Sequence, residues 1–72
     1  MLKTQIQFNN NQWADTEINL NDPTITNIVE LDKENNIVSI FYYTGHNITI
    51  KGNYEKINSA WKDLTVLRNN KK

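Results

Sequence analysis

Residues 37–67, IVSIFYYTGHNITIKGNYEKINSAWKDLTVL, decide the fold of this chain. The segment opens with a run rich in β-branched and aromatic residues, which favours a strand. Gly45 lies in the turn that follows, and the alternation of Ile48 and Ile50 with polar residues predicts a return strand. Apolar residues then recur at intervals of three and four, which predicts an amphipathic helix. This order predicts an α+β domain whose helix packs on one face of a small sheet.

The helix has a clear start and an apolar stripe. Asn53 is suited to the N-cap, because its side-chain oxygen can accept a hydrogen bond from a free backbone N–H of the first turn. The apolar stripe consists of Tyr54, Ile57, Ala60, Trp61, Leu64 and Leu67. We expect residues 69–72 to form a frayed tail behind a single domain of residues 1–68.

The first half of the chain predicts the remaining strands. Residues 2–8 and 14–20 alternate apolar with polar positions, and the three asparagines at 9–11 favour a turn between them. Pro23 ends this hairpin, residues 24–31 predict a third strand, and residues 32–36 form a polar loop. The whole chain therefore predicts an antiparallel β-meander of four to five strands with one C-terminal helix.

Loop positions predict which side chains share a face. With loops at 32–36 and 44–47, Leu31 pairs with Ile37, Val29 with Ser39, Tyr43 with Ile48 and Phe41 with Ile50. Partners across strands share a face, so the face beneath the helix is predicted to hold Ile25, Val29, Leu31, Ile37, Phe41, Tyr43, Ile48 and Ile50.

The opposite face is then predicted to be apolar at its centre. Its central residues are Ile28, Val38, Ile40 and Tyr42. A face of this kind needs a cover, since large exposed apolar patches mark interaction sites. The N-terminal hairpin, a second copy of the chain or a different protein could each supply it. These four residues are therefore candidate partner contacts.

Composition excludes several classes of protein. The chain has 72 residues and no cysteine, so neither a disulfide framework nor a thiolate metal site is expected. No apolar run approaches the roughly 18 residues that a membrane span needs, and the first residues lack a signal-peptide core. We therefore expect a cytoplasmic protein without a membrane partner.

No catalytic or metal-binding motif is apparent. The single histidine, His46, lies in a turn, and neither Ser39 nor Ser59 has a base beside it in the predicted structure. The carboxylates Glu30, Asp32 and Glu34 alternate, as is common at a solvated hairpin tip. Residues from Asp32 onward begin a calcium-loop pattern, but the glycine and the glutamate that it requires are absent at positions 37 and 43. The sequence predicts no enzyme, no metal and no cofactor.

Trp13 and the acidic residues are the other candidate partner contacts. Trp13 has the opposite parity to the apolar residues of its strand, so it is expected in a bulge or exposed, and exposed tryptophans are frequent binding hot spots. The first half of the chain carries a charge of −4, from two lysines against six carboxylates, and the second half +4, from six basic against two acidic residues. The six carboxylates could form one acidic patch: Asp15, Glu17, Asp22, Glu30, Asp32 and Glu34.

These features favour a small non-enzymatic module that binds another protein. The asparagine and isoleucine content is typical of A/T-rich genes, which suggests a bacterial or phage accessory protein that modulates a larger machine. An acidic patch would suit an inhibitor that mimics nucleic-acid charge. One alternative is a DNA-binding regulator using the basic C-terminal half, which the zero net charge disfavours. A structural homodimer is the other.

Overall fold

The computed structural model describes residues 1–9 and 11–70 and shows five strands and one helix. The elements are β1 (Leu2–Phe8), β2 (Gln12–Ile18), β3 (Ile25–Asp32), β4 (Ile37–Tyr42), β5 (Asn47–Lys51) and α1 (Tyr54–Asn70). The strands form one antiparallel sheet in the order β2-β1-β5-β4-β3. The predicted α+β class is confirmed. Pairing of β1 with β5 joins the first hairpin to a meander of the other three strands, so β2 and β3 are the edges.

The first hairpin follows from its asparagines. The strands pair in unbroken register from Leu2 opposite Ile18 to Phe8 opposite Gln12. Asn9 and Asn11 have positive φ angles of 42° and 70°, a region that asparagine tolerates better than most residues. The side chains of the alternating apolar positions in both strands consequently lie on one face.

The turn between β4 and β5 is shorter than predicted. Tyr42 N–H donates to the His46 carbonyl over 3.0 Å, and Gly45 N–H donates to the Tyr42 carbonyl over 2.9 Å. Gly45 has a φ of 96°, as in a hairpin whose type I turn ends in a left-handed residue and a bulge. Phe41 therefore pairs with Asn47, and the predicted pairs of Tyr43 with Ile48 and Phe41 with Ile50 are wrong. The shift is by an odd number of residues, so it reverses the faces of β4 relative to β5.

Two irregularities alter β3. The predicted pair of Val29 with Ser39 is confirmed, but a register shift places Asp32 instead of Leu31 opposite Ile37. A second shift places Ile25 opposite Tyr42. An extra residue in a strand changes the face to which the following side chains point, so Ile25 and Val29 lie on opposite faces.

The core consequently uses the face that the sequence assigned to a partner. Ile28, Val38 and Ile40 are almost completely buried, with Tyr42 half-buried at their margin. The prediction that these four residues lie on the face opposite the helix is wrong, because the shorter turn brings them to the same face as Ile48 and Ile50. The buried cluster consists of Ile18, Leu20, Ile25, Ile28, Val38, Ile40, Ile50 and Ile57.

The helix begins as predicted. Asn53 Oδ1 accepts a hydrogen bond from Lys56 N–H over 3.0 Å, which is N-cap geometry. Ile57 is buried, and Tyr54, Trp61 and Leu64 pack against the same cluster while remaining partly exposed, so most of the stripe faces the sheet. Ala60 and Leu67, however, are exposed. The helix runs to Asn70, and the end of the predicted tail (Lys71 and Lys72) lies outside the described residues.

Gly45 gives a first testable prediction. Replacement by alanine is expected to lower the free energy of unfolding by about 1–3 kcal/mol, because a side chain disfavours positive φ even where there is space for it. Thr44→Ala, in the same exposed turn, is the matched control; it removes only the exposed hydrogen bond of Thr44 Oγ1 to His46 Nδ1 and should cost less than Gly45→Ala. Urea unfolding of both variants measures the difference. Equal stability of the two would show that the turn does not need a left-handed residue.

Candidate functional site

None of the elements that the structure describes covers the sheet face opposite α1, and we call this face the open face. Side chains alternate along a strand, so the neighbours of the buried residues of β3 and β4 point away from the helix. Cross-strand pairs join Val29 to Ser39, Ser39 to Thr49, and Phe41 to Asn47. The open face includes Trp13, Asp15, Glu17, Val29, Ile37, Ser39, Phe41, Asn47, Thr49 and Lys51.

Apolar side chains are concentrated on the β3–β4 side of the open face. Val29 and Phe41 are each 37% exposed, and Ile37 is half-buried. Leu31, in the β3 irregularity, and Tyr43, in the turn, are exposed to 55% and 71%. Val29, Ile37 and Phe41 surround Ser39 on this face, and a group of partly exposed apolar side chains is typical of an interaction site.

Ser39 lies at the centre of this apolar group and is only 1% exposed, although α1 packs on the other face of the sheet. Val29 and Thr49 flank it on adjacent strands, and Ile37 and Phe41 flank it along β4. Its hydroxyl donates to the Ile48 carbonyl over 3.1 Å and accepts from Asn47 Nδ2 over 3.0 Å. Because a carbonyl and an amide hold this hydroxyl, Ser39 stabilises the strand pair and is not positioned beside a base.

Trp13 lies on the open face, at the β2 side. Lys51 Nζ lies 4.8 Å from the centroid of the Trp13 ring system, which is cation–π geometry. Trp13 is half-buried, so part of its ring remains accessible beside the ammonium group. The open face thus has an apolar region near one edge and an aromatic residue paired with a cation near the other.

The predicted acidic patch is not assembled. Glu30 and Asp32 lie on β3 and Glu34 in the loop after it, whereas Asp15 and Glu17 lie with Trp13 on β2. These strands are the opposite edges of the sheet, with β1, β5 and β4 between them. The structure therefore does not bring Trp13 together with Glu30, Asp32 and Glu34. Asp22, the sixth predicted member of the patch, lies in the loop between β2 and β3, where its Oδ1 accepts a hydrogen bond from Thr24 Oγ1.

Asp32 is held in its charged form. Asn35 Nδ2 donates to Asp32 Oδ2 over 2.8 Å, and Asn35 N–H donates to Oδ1 over 3.2 Å. The Asn35 side chain, and after it the backbone N–H, lower the pKa of Asp32 below the ordinary 3.8. A carboxylate with a lowered pKa stabilises the loop as an anion and is poorly suited to act as a general acid or base near neutral pH.

The Asp32 hydrogen bonds predict a pH dependence. A carboxyl whose pKa is lower in the folded state contributes stability above its unfolded pKa and loses that contribution as the pH falls through the folded pKa. In an NMR titration, the Asp32 carboxyl carbon should have its midpoint below 3.8, and Asn35→Ala should raise that midpoint. An unchanged midpoint in Asn35→Ala would assign the shift to another group.

His46 is part of the turn. Its ring stacks on the Tyr42 ring with centroids 4.5 Å apart and an interplanar angle of 11°, and its Nδ1 is hydrogen-bonded to Thr44 Oγ1. Burial, and to a lesser degree the charge of Asp22, raise the pKa of Tyr42. Within residues 1–9 and 11–70, no group of three or more histidine, cysteine or carboxylate side chains could hold a metal ion.

The basic residues of the C-terminal half do not share one surface. Lys51 lies over Trp13 on the open face, whereas Lys56 and Lys62 are exposed on α1, on the other side of the sheet. Lys71 and Lys72 lie outside the described residues. Of the basic side chains that the structure places, no row forms along the helix or the sheet.

Sequence reasoning missed the central residues of the open face. Val29, Ile37 and Phe41 were predicted to lie beneath the helix, and the structure places them on the opposite face of the sheet. The signal that could have placed them is the position of Gly45 as the third residue of the turn, where a type I turn followed by a left-handed residue has its glycine.

Comparisons of the chain with models of protein families, with curated proteins and with solved structures find no match. In the part of the chain that the structure describes, no helix has both the length and the apolar character needed to cross a membrane.

Proposed function

We propose that this chain is a non-enzymatic protein-binding module and that its partner docks on the open face. The observation that carries the proposal is the exposure of Val29 and Phe41 beside Ile37, on the face that α1 leaves uncovered. Burying such side chains against a partner removes apolar area from water, which is the main favourable term in protein association.

The arrangement of the open face resembles the anatomy of a protein interface. Val29, Ile37 and Phe41 supply an apolar centre, while Trp13 and Lys51 supply an aromatic residue and a cation at one side. Interface cores are enriched in aromatic residues and surrounded by polar rims. Since these residues lie on paired strands, their backbone is already ordered before binding, and docking therefore loses little conformational entropy.

The setting we propose is a cytoplasmic accessory protein of a bacterium or phage that modulates or inhibits a larger machine. The two acidic edges support this role, since carboxylates on both sides of an apolar face favour a partner with a basic rim. Charge mimicry of nucleic acid would use these edges separately, because they lie on opposite sides of the sheet.

The test is a comparison of Phe41→Lys with Lys62→Glu. Proteins captured on the immobilised wild-type chain are purified, and their dissociation constants are measured with each soluble variant. We expect Phe41→Lys to weaken binding at least about tenfold, because it places a charge in the apolar centre of the interface. Lys62→Glu changes an exposed charge on the helix and should leave the affinity unchanged.

Two outcomes would replace this proposal. Equal affinity of Phe41→Lys and wild type would remove the open face as the docking surface. Light scattering that shows a wild-type dimer, dissociated by Phe41→Lys, would assign the face to a second copy of the chain and favour the structural homodimer.

A further inference from the structure

Strand β2 is an edge strand with a regular, unpaired side. Its seven residues pair with β1 alone, in a register without interruption from Gln12 to Ile18. In an antiparallel edge strand, every second residue directs its N–H and C=O away from the sheet. From Gln12 to Glu17, the β2 side chains are exposed or half-buried, and no second strand among the described residues pairs with this side.

The other edge, β3, is obstructed. Two register shifts interrupt its pairing with β4, between Ile25 and Asn27 and between Glu30 and Asp32. Asn27 Oδ1 also accepts a hydrogen bond from Ile28 N–H over 2.9 Å, which satisfies a backbone donor from within the strand. Irregularities of this kind block the addition of a further strand. The regular edge is therefore at β2.

The side chains of β2 determine which kind of strand could pair with this edge. Trp13, Asp15 and Glu17 alternate on the open face, and Gln5 Nε2 donates to Asp15 Oδ1 over 3.2 Å, which keeps this carboxylate on that face. Residues directly opposite each other on neighbouring strands interact, and opposite charges are favourable. An antiparallel second copy centred on Asp15 would place the two Asp15 carboxylates side by side, so like-charge repulsion disfavours self-pairing in this register.

We propose that the β2 edge takes up an extended segment of the partner by strand addition, with lysine or arginine at two alternate positions facing Asp15 and Glu17. This inference rests on the proposed function and names the form of the partner segment. Backbone hydrogen bonds to β2 supply the attachment, and the alternating side chains supply the selectivity. The added strand would also widen the open face next to Trp13, so one partner could use both surfaces.

The test uses a synthetic strand as the probe. An acetylated and amidated peptide of sequence Val-Lys-Val-Lys-Val-Thr-Val is titrated into the ¹⁵N-labelled chain, and amide chemical shifts and exchange rates are recorded. We expect shifts and slowed exchange concentrated in residues 12–18. A peptide with glutamate in place of both lysines, and one N-methylated at its three central residues, should each bind about tenfold more weakly. Asp15→Asn with Glu17→Gln should remove the preference for lysine over glutamate.

Several results would overturn the inference. They are the absence of shifts at millimolar peptide, shifts centred on β3, and equal binding of the N-methylated or acidic peptide. Phe41→Lys should leave peptide binding unchanged, because residue 41 lies three strands away from β2. The two proposals can therefore fail separately. If Phe41→Lys loses partner binding but the wild-type chain binds no peptide, the proposed function stands and strand addition at β2 is overturned.

Discussion

Replacement of Ile40 by alanine is expected to lower the free energy of unfolding by about 2–5 kcal/mol, the usual cost of truncating a fully buried aliphatic side chain. Ile40 is completely buried in the cluster that also contains Val38 and Ile50. Its neighbour Phe41 points to the open face and keeps 37% of its surface exposed. Phe41→Ala should therefore cost about 1 kcal/mol, although it removes the larger side chain.

Chemical denaturation of the two variants measures this difference. A lower denaturation midpoint at unchanged slope reports a loss of stability rather than a change in the surface exposed on unfolding. Substitution by lysine sharpens the contrast, since Ile40→Lys should prevent folding while Phe41→Lys should fold. If Phe41→Ala were the more destabilising variant, β4 would present the opposite face to the helix.

The second large effect is expected at Ile57, through which α1 is attached to the sheet. Ile57 is buried, with 4% of its surface exposed, and Ile57→Ala should cost about 2–5 kcal/mol. Leu67→Ala is the matched control on the same helix. Leu67 is 64% exposed, so its truncation should change the stability by about 0.5 kcal/mol at most.

Gly52 allows Ile57 to reach its position. A Cβ atom at residue 52 would collide with Ile57 Cδ1, so Gly52→Ala should destabilise the wild-type chain. In the Ile57→Ala background this collision is absent, and the same substitution should cost less. A double-mutant cycle measured by thermal unfolding detects the coupling. Strict additivity of the two substitutions would contradict the contact between residues 52 and 57.

The sequence predicts the elements of this fold well because each has a local signal. Asn9 and Asn11 favour the first turn, Asn53 starts the helix, and the spacing of Ile57 and Trp61 predicts its buried stripe. The class of fold follows from these local signals. Tertiary contacts then determine how deeply each residue is buried, and the structure buries Ile57 more completely than Trp61.

The faces of β4 could not be predicted with the same success. Val38 and Ile40 on one side and Ile37 and Phe41 on the other are all apolar, so the strand has no polar face that would reveal its orientation. Its orientation depends on the length of the turn to β5, where one residue changes every assignment. The left-handed residue and bulge at Gly45 make the turn one residue shorter than predicted, which reverses the faces of β4.

The site depends on strand order as well. Whether β1 or β2 pairs with β5 is a long-range choice that no local pattern in the chain reveals. The observed order separates Trp13 from Glu30, Asp32 and Glu34, although all four were candidate partner contacts. It also makes β2 an edge, which exposes Asp15 and Glu17 next to an unpaired backbone.

The claim that the face with Phe41 is free to bind a partner can be tested most directly with introduced cysteines, since the chain has none of its own. Thiol labelling of the folded protein is compared for Phe41→Cys and Val38→Cys. We predict rapid labelling at position 41, which the captured partner slows, and protection at position 38 with or without it. Equal labelling at both positions, or labelling at position 41 that the partner does not slow, would contradict this account.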